Sequence, residues 1–212
     1  MEQIKNMMTK QKRWIIALVA IGIFFAILED VFEDQILHMD VIIYQFAVVF
    51  LRNDTLTFLM KVITNFGNAI PILLITILAM VICRDKKINF WMLLNLIFVT
   101  GLNVVLKYGV HRNRPEGYRL IDESGYSFPS GHSMVSVAFY GFFIYLIIKK
   151  VSNPYLRNTL VIALSLLIVL IGFSRIYLGV HYASDVIGGF FISLAYLIIF
   201  ITIMEKRKKT EK

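Results

Sequence analysis

Long apolar runs alternate along this chain with short polar connections, and six of the runs are long enough to be membrane spans. A hydrocarbon core about 30 Å thick requires roughly 20 helical residues, or somewhat fewer where flanking residues snorkel. The runs extend from Trp14 to Leu28, Phe66 to Cys83, Ile88 to Leu106, Gly131 to Ile148, Thr159 to Tyr177 and Asp185 to Met204. The pattern therefore predicts an all-α integral membrane protein, a six-transmembrane-helix bundle that forms a single membrane-embedded domain over residues 1–212.

The connection between the first two spans, His38 to Asn65, is too apolar for a free loop. Arg52, Asn53 and Asp54 interrupt it too early for a membrane span. We predict a short interfacial helical segment there, built from two short helices that lie in the plane of the lipid headgroups. A tightly folded cap outside the membrane is the alternative.

Composition supports a membrane protein, because 58% of the residues are apolar and 17% are charged, which excludes an ordinary water-soluble domain. The net charge of +8 could indicate nucleic-acid binding. The cations flank apolar runs, however, and form no basic stripe with interleaved aromatic residues, so we expect no nucleic-acid partner. The single cysteine, Cys83, excludes an internal disulfide and lies in an apolar run as a small hydrophobic residue.

Lysine and arginine are unevenly divided between the two sides of the predicted bundle. Fifteen of the 22 lie on the side that carries both termini, and seven lie opposite. The positive-inside rule therefore predicts a multi-pass protein of the cell membrane with both termini in the cytoplasm. The first apolar run resembles a signal peptide, but Glu29 and Asp30 follow it instead of a small-residue cleavage site, so we expect a retained anchor.

Two of the outward connections are crowded with ionisable residues. The first reads KYGVHRNRP, residues 107–115, and places Lys107 at the end of a span and Arg114 before a proline that stops regular structure. Arg112 and Arg119 are expected at the rim, and the two further histidines, His38 and His111, at the surface. Five residues of the loop between the first two motifs could either shape the choice of lipid headgroup or be solvated, and we favour solvated side chains: Glu116, Tyr118, Arg119, Asp122 and Glu123.

A second motif, FPSGHS at residues 128–133, stands immediately before the fourth span. Ser130 is a helix-starting residue, and Gly131 allows close approach of the backbone. Free amide groups and the positive end of the helix dipole make such a helix start an anion site, with His132 in its first turn.

The third motif, SRIYLGVHYASD at residues 174–185, lies between the last two spans. Arg175 is at the end of one span, and His181 and Asp185 are four residues apart at the start of the next. On a helix this spacing puts both side chains on one face, where the carboxylate can hold one imidazole nitrogen and leave the other directed outward. Such a histidine is either a nucleophile or a metal ligand.

Two ligands suit this collection of residues, zinc and phosphate. Zinc could be bound by His132, His181 and Asp185. The three cations at positions 107, 114 and 175 would repel a divalent metal, whereas arginine forks and backbone amides suit an anion with several oxygens. Phosphate is therefore favoured over metal, and the parts are those of phosphoryl transfer through a covalent intermediate.

The motifs K-x6-R-P, P-S-G-H and S-R-x5-H-x3-D resemble the signatures of the type-2 phosphatidic acid phosphatases, also called lipid phosphate phosphatases. All three are complete and stand in the order of that family. The resemblance implies a metal-independent enzyme without a cofactor, in which His181 attacks phosphorus, Asp185 orients His181 and His132 carries a proton. It also implies a set of phosphate-binding residues: Lys107, Arg114, Ser130, Gly131, His132 and Arg175.

The resemblance further implies a lipid phosphate as the substrate, and the mechanism that we expect is hydrolysis through a phosphohistidine. The positive-inside rule places this site on the extracytoplasmic side, opposite both termini. The candidate substrates are phosphatidylglycerophosphate, undecaprenyl pyrophosphate and phosphatidic acid, of which an outward-facing site favours the first two by analogy. The alternative function is an anion transporter or lipid scramblase that uses the basic cluster as a binding site. The sequence contains no signal for a particular oligomeric state.

Overall fold

A computed structural model describes residues 2–34 and 36–210, with the side chains of residues 11–33 and 36–207. These residues contain no β-strand and form eight α-helices: α1 (Glu2–Asp34), α2 (His38–Gln45), α3 (Asp54–Asn65), α4 (Ala69–Ile82), α5 (Lys86–Val110), α6 (Gly131–Lys150), α7 (Pro154–Tyr177) and α8 (Ala183–Thr210). The predicted all-α class is confirmed. Some cations used for the predicted orientation lie outside the described side chains, namely Lys5, Lys10, Lys208, Lys209 and Lys212.

Five stretches are long and apolar enough to cross a membrane: Gln11–Glu33, Lys86–Val110, Gly131–Lys150, Pro154–Tyr177 and Ala183–Arg207. They contain or closely match five of the six predicted spans. The span predicted from Phe66 to Cys83 differs, because α4 has 14 residues and covers only about 21 Å of a core about 30 Å thick. Helices α3 and α4 together have the length of a span but are bent by 53°. The described residues thus contain five candidate spans, or six if the bent pair is one.

The predicted short helices between the first two spans are present as α2 and α3. A π-helical turn, Phe46–Phe50, continues α2. Helix α2 packs against α8, and α3 packs against α7. The segment is therefore attached to the two helices that carry the third motif.

Side chains at the helix starts fix where several helices begin. Asn53, Asp85, Ser130 and Asn153 stand at the N-caps of α3, α5, α6 and α7, and each accepts a hydrogen bond from a backbone N–H of the first turn. Helix α5 ends at Val110, and the next residue, His111, has a left-handed φ of 55° that turns the chain away from the helix axis. Because Ser130 caps α6, the second motif begins a helix, as its sequence predicts.

Helix α6 lies at the centre of the bundle, where it packs against α5, α7 and α8, while α1 covers α8. Its Phe139 and Phe142 are fully buried in one cluster with Ile171 of α7 and Met204 of α8. At the end away from the motifs, Glu205 of α8 accepts hydrogen bonds from Arg13 of α1 (2.8 Å) and Tyr145 of α6 (3.0 Å). Apolar packing and this polar contact hold the spans in register.

The connection from α5 to α6, residues 111–130, crosses the other end of the bundle without regular secondary structure. The backbone N–H of Leu120 donates to Leu178 O at 2.9 Å, and that of Ser127 donates to Arg112 O at 2.8 Å. Arg52 holds the same connection from the segment before α3, donating to Tyr118 O at 2.6 Å and to Tyr177 O at 2.9 Å. The loop is thus tied to the helix ends beneath it.

The turn between α7 and α8 passes so close to this loop that it requires glycine. Gly179 has a φ of +80°, and a Cβ there would lie 2.4 Å from the carbonyl oxygen of Tyr118. Because that oxygen belongs to the backbone, no side-chain rotation relieves the contact. The turn sets the approach to His181, two residues further along the chain.

We expect Gly179→Ala to lower the free energy of unfolding by at least about 2 kcal/mol, because it adds a backbone clash to the cost of a left-handed alanine. Gly117→Ala is the matched control, since Gly117 also has a positive φ, of +94°, but open space around the Cβ position. We expect that control to cost about 1 kcal/mol. Thermal unfolding of both purified variants in detergent makes the comparison, and equal losses would contradict the close-contact argument.

Candidate active site

The three motifs meet at one end of the bundle, where α5 and α7 end and α6 and α8 begin. The backbone N–H of Ser130 donates to the carbonyl oxygen of Asp185 at 3.0 Å, which joins the second motif to the third. A cavity of about 280 Å³ opens at this junction. Its lining includes five of the residues singled out in the sequence, one or more from each motif: Lys107, Arg114, Gly131, His132 and His181.

The hydrogen bonds of His181 determine which of its ring nitrogens carries the proton. Arg114 Nη1 lies 3.0 Å from His181 Nε2, and a guanidinium can only donate, so Nε2 accepts with its lone pair. The proton is therefore on Nδ1, which lies 3.2 Å from Asp185 Oδ2. This is the arrangement that the spacing of the two residues predicts. The sequence predicts both residues at the start of the helix, whereas in the structure α8 begins at Ala183 and His181 lies in the turn before it.

His181 is almost completely enclosed, with 1% of its surface exposed. Burial lowers the pKa of His181 to about 3, and Arg114 and Arg175 act in the same direction, while Asp185 opposes them. A neutral imidazole is consequently the resting form of this residue near neutral pH.

Asp185 is fully buried and makes contacts with several segments of the chain. Its Oδ2 accepts hydrogen bonds from Ser127 Oγ and from the backbone N–H of Tyr182, the latter at 2.8 Å. Its Oδ1 accepts from Arg112 Nη1 at 2.6 Å. The carboxylate thus orients the ring of His181 while being fixed itself from both sides.

Arg112 was expected at the rim, and that expectation is wrong. Only 2% of its surface is exposed, and Nη2 forms a second ion pair with Asp40 of α2, at 2.7 Å. Asp40 is itself fully buried and also accepts from Ser184 Oγ (2.6 Å). A buried guanidinium is tolerated here because two carboxylates compensate its charge. Position 112 looked peripheral because its partners are distant in sequence.

The two cations of the first motif are directed toward the 111–130 connection. Lys107 Nζ donates to the carbonyl oxygens of Tyr126 and Ser127. Arg114 Nε donates to Gly125 O at 2.9 Å and its Nη2 to Ser124 O at 3.0 Å. These carbonyls hold the cations at the cavity wall.

Arg175 lies deeper, with 1% of its surface exposed. It donates to Thr64 Oγ1 of α3 at 2.9 Å and forms an ion pair with Glu123. Glu123 also lies 3.7 Å from Arg114 Nη2, so the expectation that Glu123 is merely solvated is wrong. Among the described residues Arg175 Nε is buried without a hydrogen-bond partner, which leaves one donor of this guanidinium available.

The start of α6 is formed as the sequence predicts. Ser130 is fully buried, and its Oγ accepts from the N–H of Ser133 at 3.4 Å. Asn103 of α5 supports the preceding residue by donating to Pro129 O at 3.1 Å. A Cβ at Gly131 would lie 3.0 Å from Asn103 Oδ1, so the helix start approaches α5 closely.

His132 lies on the cavity side of the first turn of α6, and Nε2 is 2.7 Å from Asn68 Oδ1. It is therefore held by a different residue from the one that holds His181. The zinc alternative requires His132, His181 and Asp185 to act together as ligands. No group of three His, Cys, Asp or Glu side chains suited to a metal occurs in the part of the chain that the structure describes.

Residues 89–209 match the family model of the PAP2 superfamily, and this range contains all three motifs. The chain belongs to the PAP2 superfamily. The chain is also 38% identical over 161 residues to phosphatidylglycerophosphatase B of Bacillus subtilis, covering 73% of this chain and 77% of that protein. The resemblance inferred from the motifs is thereby confirmed: this is a hydrolase, a membrane lipid phosphatase of the PAP2 type.

The chain is also similar to other proteins and solved structures. The chain is 26% identical over 166 residues to the undecaprenyl-diphosphatase of Sulfolobus acidocaldarius, covering 74% of this chain and 76% of that one. The crystal structure of a transmembrane PAP2-type phosphatidylglycerolphosphate phosphatase from Bacillus subtilis superposes with a TM-score of 0.79, at 31% identity, over 90% of this chain and 96% of that chain. Aquifex aeolicus LpxE shares the fold, with a TM-score of 0.61 at 23% identity over 76% of this chain and 94% of that one.

Four residues of this PAP2 site were missed in the sequence, namely Asp40, Asn68, Asn103 and Ser127. Asp40 and Asn103 had a detectable signal, because each is a polar residue inside an apolar stretch, where it is expensive unless paired. Ser127 and Asn68 had none, since a serine or an asparagine beside a turn is usually a surface residue. The surface positions expected for His38 and His111 are confirmed.

We expect Arg112→Met in this PAP2 phosphatase to lower the free energy of unfolding by about 3–5 kcal/mol, because it leaves Asp40 and Asp185 buried without their shared partner. Arg119→Met is the control. Arg119 belongs to the same connection but is exposed, and its Nε donates a hydrogen bond to Pro115 O at 2.7 Å. We expect this control to change the free energy of unfolding by no more than about 1 kcal/mol. Chemical or thermal unfolding in detergent separates the two, and similar losses would contradict the buried role of Arg112.

His181 also predicts how the stability of the protein depends on pH. Its pKa is about 3 in the folded protein against 6.5 ordinarily, so between these values the unfolded chain binds the additional proton. The contribution of neutral His181 to the free energy of unfolding is complete above pH 6.5 and is lost as the pH falls toward 3. The free energy of unfolding changes by at most about 1.4 kcal/mol per pH unit in this range. Unfolding of the wild type and His181→Gln across this range tests it, and identical slopes would contradict it.

Proposed function

We propose that this PAP2 phosphatase hydrolyses lipid phosphates through a phosphohistidine formed at His181. The tautomer of His181 is the main support for this proposal. Its Nδ1–H is held by Asp185, and its Nε2 lone pair is held beside Arg114 at a cavity lined by Lys107 and His132. A neutral, oriented imidazole next to several cations is suited to attack an anionic phosphorus centre.

Binding of the phosphate is the first step. The cations Lys107, Arg114 and Arg175, with the backbone N–H groups at the start of α6, provide donors for its oxygens. Arg114 exchanges its bond with His181 Nε2 for a bond with a phosphate oxygen, which frees the lone pair. The unpartnered Nε of Arg175 supports the assignment, because a buried donor of this kind is suited to an additional acceptor.

Phosphoryl transfer follows. His181 Nε2 forms a bond to phosphorus while the bond from phosphorus to the lipid oxygen breaks, and the electron pair of that bond goes to the oxygen. Protonated His132 gives its proton to this oxygen, so a lipid monophosphate leaves as the alcohol, and a lipid pyrophosphate, cleaved at its bridging oxygen, leaves as the lipid monophosphate. Asp185 stabilises the positive charge that develops on the imidazole ring of His181. The surrounding cations stabilise the charge on the transferring oxygens.

Hydrolysis of the phosphohistidine completes the cycle. Neutral His132 takes a proton from a water molecule as the water oxygen bonds to phosphorus. The nitrogen–phosphorus bond breaks, and its electron pair returns to His181 Nε2. Inorganic phosphate leaves, and Arg114 again donates to the lone pair.

Phosphatidylglycerophosphate is the favoured substrate, because the Bacillus subtilis protein at 38% sequence identity and the Bacillus subtilis crystal structure at 31% identity carry names for that activity. Undecaprenyl pyrophosphate is the second candidate, supported by the relative at 26% identity that is an undecaprenyl-diphosphatase. Phosphatidic acid has the same monophosphate chemistry. In each case the phosphate is attached to a lipid, so it can enter the cavity at the helix ends while the acyl or prenyl chain stays among the exposed apolar side chains.

The orientation of the protein is part of the proposal. The distribution of lysine and arginine in the sequence favours both termini in the cytoplasm. The motifs lie at the opposite end of the spans, so the substrate would be taken from the outer leaflet and phosphate released outside the cytoplasm. We propose the whole chain, residues 1–212, as one membrane-embedded catalytic domain.

We expect the purified protein to release inorganic phosphate from lipid phosphates with EDTA present, and His181→Ala to reduce kcat by at least about 10³-fold, because it removes the nucleophile. A panel of phosphatidylglycerophosphate, undecaprenyl pyrophosphate and phosphatidic acid in mixed micelles identifies the preferred substrate. Size-exclusion profile and thermal unfolding establish that the variant is folded. Wild-type turnover by folded His181→Ala, or loss of wild-type activity with EDTA, contradicts the proposal.

A further inference from the structure

The break between α3 and α4 touches the active site, although it lies outside all three motifs and outside the matched residues 89–209. Its three residues each contact α6. Phe66 O accepts a hydrogen bond from Tyr140 Oη at 2.7 Å. A Cβ on Gly67 would lie 2.7 Å from His132 Cδ2, and Asn68 Oδ1 lies 2.7 Å from His132 Nε2. The bend in this helix pair therefore brings a short piece of backbone and one amide side chain against His132.

Asn68 stands at the N-cap of α4, but its side chain makes no capping hydrogen bond there. The asparagines at two other N-caps behave differently. Asn53 accepts from the first turn of α3, and Asn153 accepts from the first turn of α7. Asparagine is favoured at this position because it caps, so the orientation of Asn68 toward His132 takes the place of its usual local role.

The two ends of the Asn68 amide have different partners. Its Nδ2 donates to Asn65 Oδ1 at 2.8 Å, and its Oδ1 faces His132. A carbonyl oxygen can only accept, so Nε2 of His132 carries a proton and donates it to Asn68. The neutral ring then has its lone pair on Nδ1, and that nitrogen gains and loses the transferable proton.

We propose that Asn68 is a positioning residue for His132, which it holds by Nε2 so that Nδ1 is the nitrogen that exchanges a proton with the leaving lipid oxygen and with water. This inference rests on the proposed function, in which His132 is the acid and base.

The two histidines of the site have acceptors of different charge, and the difference matches their roles. His181 donates to a carboxylate, which stabilises a positively charged ring, as a phosphorylated histidine requires. His132 donates to a neutral amide oxygen, which orients the ring without retaining its second proton. The titratable groups around His132 are four basic side chains and three others in the cavity lining: Lys107, Arg114, Arg175, His181, Glu123, Tyr108 and Tyr126.

The test compares two substrates that differ in their need for an acid. A lipid phosphate leaves as an alkoxide that must be protonated, whereas p-nitrophenyl phosphate leaves as a stable phenolate. We expect Asn68→Ala in the full-length protein to lower kcat about tenfold on the lipid phosphate and by less than about twofold on p-nitrophenyl phosphate, with KM nearly unchanged. Asn68→Asp keeps an oxygen acceptor facing Nε2 and should retain more activity on the lipid than Asn68→Ala.

Asn153→Ala is the matched control, because it removes an asparagine from a helix N-cap far from the cavity. It should lower thermal stability by loss of the cap and leave both activities unchanged, whereas Asn68→Ala removes no cap. A double-mutant cycle gives an independent measurement. In a His132→Ala background, Asn68→Ala should have no further effect on lipid hydrolysis.

The outcomes distinguish this inference from the proposed function. If His132→Ala hydrolyses the lipid as well as the wild type, the proposed acid is wrong. If His132→Ala is impaired on the lipid, the proposed acid stands. The positioning role of Asn68 is then overturned by either of two results: Asn68→Ala lowers both activities equally, or Asn68→Ala has its full effect in the His132→Ala background.

Discussion

The buried carboxylate of Asp185 is the contact on which the site depends. It is engaged by Arg112 from the end of α5, by Ser127 from the following connection and by His181 from the turn before α8. The backbone carbonyl of the same residue accepts from Ser130 at the start of α6. An uncompensated carboxylate in such a place is strongly unfavourable, so the helix ends that carry the motifs are stable only when they converge on it. One interaction therefore builds the site and holds the end of the bundle together.

The positive charges of the site must be compensated as well. In the free protein Lys107 and Arg114 donate to carbonyl oxygens of the 111–130 connection, and Arg175 pairs with Glu123 and Thr64. These contacts allow three cations to stand together at the end of an apolar bundle. A phosphate group, as we propose for the substrate, can replace some of them with stronger charge-assisted hydrogen bonds.

Residues outside the part of the chain that matches the PAP2 family model help to position both histidines of the site. Asp40 of α2 holds Arg112, which holds Asp185, and Asn68 at the bend between α3 and α4 holds His132. The segment between the first and the later spans is therefore a support for the chemistry. Helix α2 accordingly packs on α8 and α3 on α7, so the segment is joined to the helices that carry the third motif.

The sequence by itself determined the all-α membrane class, five spans, the three motifs and their residues, and the pairing of His181 with Asp185. Each of these follows from local periodicity or from short spacings, which are visible along a single chain. Only the tertiary structure decided that Arg112 and Glu123 are partners inside the site, that α3 and α4 form a bent pair, and that Asn68 faces His132. Asp40 is 72 residues from Arg112 and Asn68 is 64 from His132, so neither contact leaves a local pattern. Such contacts arise because buried charges and amides must find partners wherever the folded helices bring them together.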